Sequence, residues 1–238
     1  MTDPDRAAPD RAADQAADQG ARRWTPSRWV LGCVIVGSVL AGVFVFGLWR
    51  ALTATERPVL TPAGVNTFGG IAVGPADARA RVDIYLDLQC ADCRAYLDAV
   101  GPTLDAAVAA ERAQVVYHPV AFLDRESSTR YPTRAAAAGG CAAEAGVYPA
   151  FQRSLLAEQP PADSAGMPEQ RLIELGRRAG AGEAFAACVR DGRFEPWVSK
   201  MTSGAYNLGI KVMPTVLVDD GRVATTDQAL REAVAGAR

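Results

Sequence analysis

The 238-residue chain has one histidine, His118, and two lysines, Lys200 and Lys211. One histidine excludes a multi-histidine metal centre, and a zinc site would have to draw on cysteines far apart in sequence. Aromatic residues are 7% of the chain, charged residues 22%, and the net charge is −2. Such a balance leaves no electrostatic footprint for nucleic acid, so no nucleic-acid partner is expected. The sequence also lacks a glycine-rich dinucleotide fingerprint and any other cofactor motif. No metal or cofactor is therefore expected, and any electron transfer would pass through the protein's own side chains.

What is present is an apolar run, an alternating strand and five cysteines: Cys33, Cys90, Cys93, Cys141 and Cys188. Residues 1–28 are rich in Ala, Asp, Arg, Gln and Pro, with Asp-Arg-Ala-Ala repeated at Asp5 and Asp10. They hold too little apolar surface to offset the entropy of ordering and are expected to be a disordered cytoplasmic tail. From Trp29 to Trp49 no residue is charged. About twenty residues at ~1.5 Å each match the ~30 Å hydrocarbon core, so a single transmembrane helix is expected over 29–49.

Arg22, Arg23 and Arg28 precede that span, and Arg50 and Arg57 follow it. The excess favours an N-terminus inside the cell membrane and a C-terminal domain outside. A cleaved signal peptide would have a shorter apolar region and a small-residue cleavage site, which Ala51-Leu52-Thr53-Ala54 matches poorly. Val30-Leu31-Gly32-Cys33 looks like a lipidation site, but it begins the apolar region instead of ending it. Cys33 is read as a small apolar membrane residue.

Residues 50–65 carry Thr, Pro and Ala without an apolar period and read as a linker. Residues 69–74 suit a short edge strand. Val82, Ile84, Leu86 and Leu88 then alternate with Asp83, Tyr85 and Asp87, a period of two that predicts a strand. The stretch from Ala91 to about Glu111 predicts a helix, paired or kinked at Gly101-Pro102. Gln114–Val120 predicts a second strand, ended by Pro119. Between about residues 131 and 208 come five helical segments, three with proline near the start (Pro149, Pro168, Pro196). Thr215–Val218 and Arg222–Ala224, joined by Asp-Asp-Gly, predict a hairpin, followed by a final helix from Asp227 capped by Thr226 or Thr225. The order is βαβ, a helical block, then ββα: an α/β fold in which the two halves can share one mixed sheet.

The chemistry concentrates at Leu88-Gln89-Cys90-Ala91-Asp92-Cys93. A strand delivers Cys90 to the start of a helix, where unpaired backbone N–H groups favour negative charge and lower a thiol's pKa. Cys93 follows one turn later, placed to close a disulfide or resolve a mixed one. The rival readings of a Cys-x-x-Cys are half a zinc site and a structural bridge. If the domain lies outside the cytoplasm, paired cysteines are the expected state there.

This stretch, with Gly209-Ile210-Lys211-Val212-Met213-Pro214-Thr215 and the helical block, resembles the Dsb-type (DsbA-like) proteins of the thioredoxin fold. The membrane-anchored actinobacterial forms are the nearest in kind, and the likeness covers roughly residues 66–238. It implies a thioredoxin-like fold with a helical insertion and a protein thiol–disulfide oxidoreductase with Cys90 and Cys93 as its catalytic pair. Its implied partners are extracytoplasmic protein substrates bearing thiols or disulfides, and a redox protein that resets the pair. Pro214 looks like the family's cis-proline, leaving the Met213 backbone open to a substrate segment; an ordinary strand-start proline is the alternative. The familiar oxidases often place Pro-His between the cysteines, where this chain has Ala91-Asp92. Loss of the histidine and gain of a negative charge should raise the Cys90 pKa and make a weaker oxidant.

Cys141 and Cys188 fall in separate helices. A structural bridge is expected in an oxidising compartment, with buried free thiols or a second redox pair as alternatives. His118 is expected to be structural or superficial. Asp83 and Asp87 are expected on a solvated face, although the resemblance allows either to be a buried acid beneath the cysteines. Two further functions stay open: a redox-inert binding module at the membrane, and a thiol protein handling a soft metal.

Overall fold

The computed structural model describes residues 28–52, 59–66, 69–219 and 221–237. The expected tail lies outside the described residues except for Arg28, as does the middle of the linker, residues 53–58. The chain divides into two units, residues 1–57 and 58–238.

In the first unit, α1 spans Arg28–Leu52. No proline interrupts residues 29–49, so the helix runs on unbroken. Its described side chains, Phe44 and Phe46 among them, are exposed. They cover residues 36–47 and Trp49 only, and among the described residues no helix is long and apolar enough to cross a membrane. The expected span therefore still rests on its sequence.

In the second unit, the alternation at Val82, Ile84 and Leu86 builds β2 (Ala80–Asp87) after a short edge strand, β1 (Ile71–Val73). All three side chains are fully buried. The next elements are α2 (Ala91–Ala109) and β3 (Ala113–Val120). Late in the chain come β4 (Thr215–Val218), β5 (Arg222–Val223) and α8 (Asp227–Ala235). One five-stranded mixed sheet results, in the order β1-β3-β2-β4-β5. Only β2 and β3 run parallel, with Ile84 opposite Tyr117; β1 pairs β3, β4 pairs β2 and β5 pairs β4 antiparallel. Thr226 caps α8 by accepting the Ala229 N–H at 3.1 Å.

Of the two readings of the stretch after Cys90, a helix pair falls away: α2 is one helix, with Pro102 inside it. Pro102 and Asp98, the residue four before it, both lie on the exposed side, so the backbone bond that proline removes is lost away from the core. Nor does Pro119 end the second strand: it pairs with Leu86 inside β3. β1 reaches only Val115–Tyr117, so on that side Pro119 stands beyond the ladder, where a missing N–H is tolerated.

The insertion between β3 and β4 holds a 3-10 turn (Phe122–Glu126), α3 (Tyr131–Glu144), α4 (Tyr148–Ala157), α5 (Glu169–Arg178), α6 (Glu183–Arg190) and α7 (Glu195–Asn207). α3 is the central helix, buried almost throughout. Its run of alanine and glycine lets neighbours approach closely. A methyl group at Gly140 would meet Phe194 at 3.0 Å and Pro62 at 2.8 Å.

Candidate active site

Backbone geometry places Cys90 first. At the end of β2 the Cys90 N–H donates to the Asp87 carbonyl at 3.1 Å, closing a tight turn. Cys90 is then the N-cap of α2, in extended conformation, and its Sγ accepts the Cys93 N–H at 3.1 Å. An orphan helix N–H is thus aimed at the sulfur that a thiolate would occupy. Cys93 is fully buried, whereas Cys90 is partly exposed. The two are joined as a disulfide with Cα atoms 5.2 Å apart. Only the outer sulfur is open to attack.

The segment after α7 comes up opposite. The Met213–Pro214 peptide bond is cis, and the Met213 carbonyl oxygen lies 3.9 Å from Cys90 Sγ. Val212, next to Met213 in the chain, is 71% exposed. The sulfur thus faces a polar backbone edge. Asp92, in the first turn of α2, is exposed.

Asp87 overturns its expected place on a solvated face, because its side chain is fully buried. Burial pushes its carboxyl up to about 6, although the Leu123 and Gln89 N–H groups, each donating at 2.9 Å, pull the other way. The alternation in β2 marks one buried face, but helices of the insertion cover part of the other face too, so the period of two conceals a second buried set.

Asp83 is partly buried. Burial would raise its carboxyl, but hydrogen bonds with His118, at 2.7 Å, and Arg81 outweigh it and hold the group low. His118 is buried and stacked on Tyr85 at 4.2 Å. Its ring Nε2 meets Asp83, not a cysteine, which agrees with a structural role. A broad groove around this pair is lined by Arg81, Tyr85, Lys200 and Met201 and includes neither Cys90 nor Cys93. Among the described residues no three metal-ligating side chains cluster. Cys141 in α3 and Cys188 in α6 form a second disulfide, Cα atoms 5.9 Å apart, with both residues buried.

Two residues escaped the sequence reading. Gln159 donates from Nε2 to the Leu88 and Cys90 carbonyls at 3.1 and 3.0 Å. Gln89, buried beside Cys90, donates from Nε2 to the Pro161 carbonyl at 2.8 Å. Their partners lie about seventy positions away, so no local pattern reveals them.

Comparison with known proteins agrees with this geometry. Residues 66–235 match a family model described as thioredoxin. Oxidised DsbA of Mycobacterium tuberculosis is 27% identical, with a TM-score of 0.63 over 71% of this chain and 92% of that one. The reduced DsbG of the same organism is also 27% identical, with a TM-score of 0.61 over 71% and 93%. MdbA of Corynebacterium diphtheriae, a thiol-disulfide oxidoreductase, shares the fold at 20% identity, with a TM-score of 0.61 over 77% and 98%. Among curated proteins, the serine/threonine-protein kinase PknE of Mycobacterium tuberculosis is 29% identical over 168 residues. That match takes in 67% of this chain but only 30% of the kinase. The chain belongs to the thioredoxin family and is a DsbA-like thiol–disulfide oxidoreductase within it.

Proposed function

We propose that the domain exchanges disulfides with extracytoplasmic protein substrates through Cys90 and Cys93. The observation that carries this is the position of Cys90: a partly exposed N-cap sulfur that accepts the Cys93 N–H and faces the Met213 carbonyl. In the oxidising direction a substrate thiolate attacks Cys90 Sγ, the Cys90–Cys93 bond breaks, and Cys93 leaves as a thiolate that takes up a proton. A second substrate thiolate then attacks the substrate sulfur of the mixed disulfide and releases Cys90. The substrate loses two electrons and the cysteine pair gains them. Met213 and Pro214 form the edge along which an extended substrate segment lies, and Cys141–Cys188 is a structural staple. A partner redox protein reoxidises or reduces the pair.

The uncharged sequence from Trp29 to Trp49 and its exposed apolar side chains support a single membrane span, with the N-terminus in the cytoplasm. In this reading the arginine excess before the span, Arg22, Arg23 and Arg28 against Arg50 and Arg57, favours a domain outside the cytoplasm, where disulfides persist.

The test is a redox titration of the full chain in glutathione buffers, read by thiol alkylation. A midpoint between about −120 and −270 mV fits a working dithiol exchanger. A pair that stays oxidised below about −300 mV behaves as a structural bridge. The second reading, a redox-inert binding module at the membrane, would then replace the first. Similarity to part of a kinase chain favours keeping that second reading, since there the matched segment is one part of a longer protein.

A further inference from the structure

We infer that Gln159 is a positioning residue for exchange at Cys90, holding the backbone conformation that the disulfide also requires; the inference rests on the function proposed above.

Gln159 directly follows the C-cap of α4 and begins a loop that returns to α5. Both Nε2 donor bonds go to carbonyls flanking Gln89, and one of those carbonyls belongs to Cys90 itself. Gln89 answers from the other side by donating to the Pro161 carbonyl and, at 3.2 Å, to Ser164 Oγ. Two glutamines thus clasp the turn that carries Cys90 to the loop over residues 159–164. The far end of that loop is fixed as well. Arg134 donates to the Met167 carbonyl at 3.0 Å, and Gly166 lies so close to Tyr131 that a Cβ there would meet its ring at 2.1 Å. The clasp is anchored on the helical block, not floating.

Its target is a torsion. The direction of a residue's carbonyl defines its ψ, and Cys90 sits at φ −80° and ψ 115°. Only near those values does an N-cap side chain fold back onto the helix N–H groups. The same carbonyl also accepts the Arg94 N–H, at 3.2 Å. In the oxidised form the S–S bond already holds Cys90 in that conformation, and both Gln159 bonds form there without further ordering cost. Once the S–S bond opens, part of what those bonds yield goes into ordering Cys90. Gln159 therefore stabilises the oxidised form more than the reduced one.

The test uses the full chain in detergent micelles and the variant Gln159→Met, which keeps the side chain's length and removes both donors. The reaction is reduced protein plus glutathione disulfide giving oxidised protein plus two glutathione. For the unmodified protein a measurable constant establishes exchange; a pair that does not exchange overturns the proposed function and this inference with it. Given exchange, the variant should lower the constant by up to about five-fold, the net effect of one hydrogen bond; a rise overturns the inference. A constant that does not move, whatever the melting temperature does, overturns the inference alone, because a merely structural clasp weakens both redox forms equally.

If Gln159→Met does not fold, reciprocity supplies the same contrast in the unmodified protein: what favours the oxidised form must itself be strengthened by oxidation. The Gln159 side-chain amide protons should then exchange with solvent more slowly in the oxidised than in the reduced protein. Equal or faster exchange in the oxidised protein overturns the inference.

Discussion

The molecule holds two disulfides of opposite design. Cys90 and Cys93 are three residues apart, at the N-terminus of one helix, with one sulfur open to solvent and a helix N–H aimed at it. Cys141 and Cys188 are 47 residues apart, both buried, and join two helices whose side chains exclude solvent. Closing a three-residue gap restricts the unfolded chain little, while closing a 47-residue loop restricts it greatly. Exposure and a helix terminus make a thiolate available; burial denies access to an attacking thiol. Position therefore suits the one bond to exchange and the other to fixation.

The largest effect should come from breaking the first pair. Cys90→Ser should abolish exchange with glutathione and with a dithiol substrate, measured by alkylation or by insulin reduction. Cys93→Ser should instead trap mixed disulfides at Cys90, visible as adducts on non-reducing gels, because the resolving thiol is gone. Exchange that survives in Cys90→Ser would assign the chemistry to the other pair. The double variant Cys141→Ala with Cys188→Ala should keep exchange and lose roughly 4 kcal/mol of stability in urea unfolding, by the chain-entropy model. Loss of exchange in that folded variant would erase the distinction between the two pairs.

A smaller effect should appear in pH dependence, and it separates the ground beneath the two disulfides. Asp87 lies in the turn that bonds to Cys90, and burial raises its carboxyl to about 6 from an ordinary 3.8. A carboxyl raised on folding binds a proton that the unfolded chain has already released. Stability from this group is therefore full below about pH 4 and is lost as pH rises through 6. Between pH 5 and pH 7 the oxidised protein should lose about 1 kcal/mol through Asp87. The carboxyls held low by partners, such as Asp83 and Asp227, change only at more acid pH and do not enter this window. Urea unfolding at both pH values should show the slope, and Asp87→Asn should flatten it. An unchanged slope in Asp87→Asn would mean that another group carries it.

How far each region was legible in the sequence follows the same division between local and distant causes. The period of two in β2, the Cys-x-x-Cys after it and the cap at Thr226 are local patterns, and the structure contains each at its expected place. The separate helices carrying Cys141 and Cys188 were readable, but their approach depends on how the helical block closes, which no spacing dictates. Asp87 was misread because alternation reports one buried face and says nothing of a second covering layer. Pro119 was read as ending its strand and Pro102 as splitting or kinking its helix, because a proline's cost depends on whether the lost bond would have been buried or paired. Gln89 and Gln159 were silent, since their meaning lies wholly in contacts across about seventy residues.

The smallest effect concerns the dipeptide inside the exchanging pair, and there two local forces compete. Asp92 occupies the first turn of α2, where a negative charge complements the helix dipole and stabilises the helix in both redox forms. The same charge lies near Cys90, whose thiolate draws on the same unpaired N–H field and exists only in the reduced form. Asp92 should therefore steady the fold while disfavouring reduction, with a weaker oxidant than a neutral dipeptide would give as the expected result. Because Asp92 is exposed, water and salt screen the effect. Asp92→Asn should lower the constant for oxidation by glutathione disulfide about two-fold, the size of a single screened charge several ångströms away. The same substitution should lower the melting temperature of the oxidised form slightly, through the lost dipole contact. If the constant stays fixed while the melting temperature falls, Asp92 acts on the helix alone, and the poise of the exchanging pair is set by the backbone around Cys90.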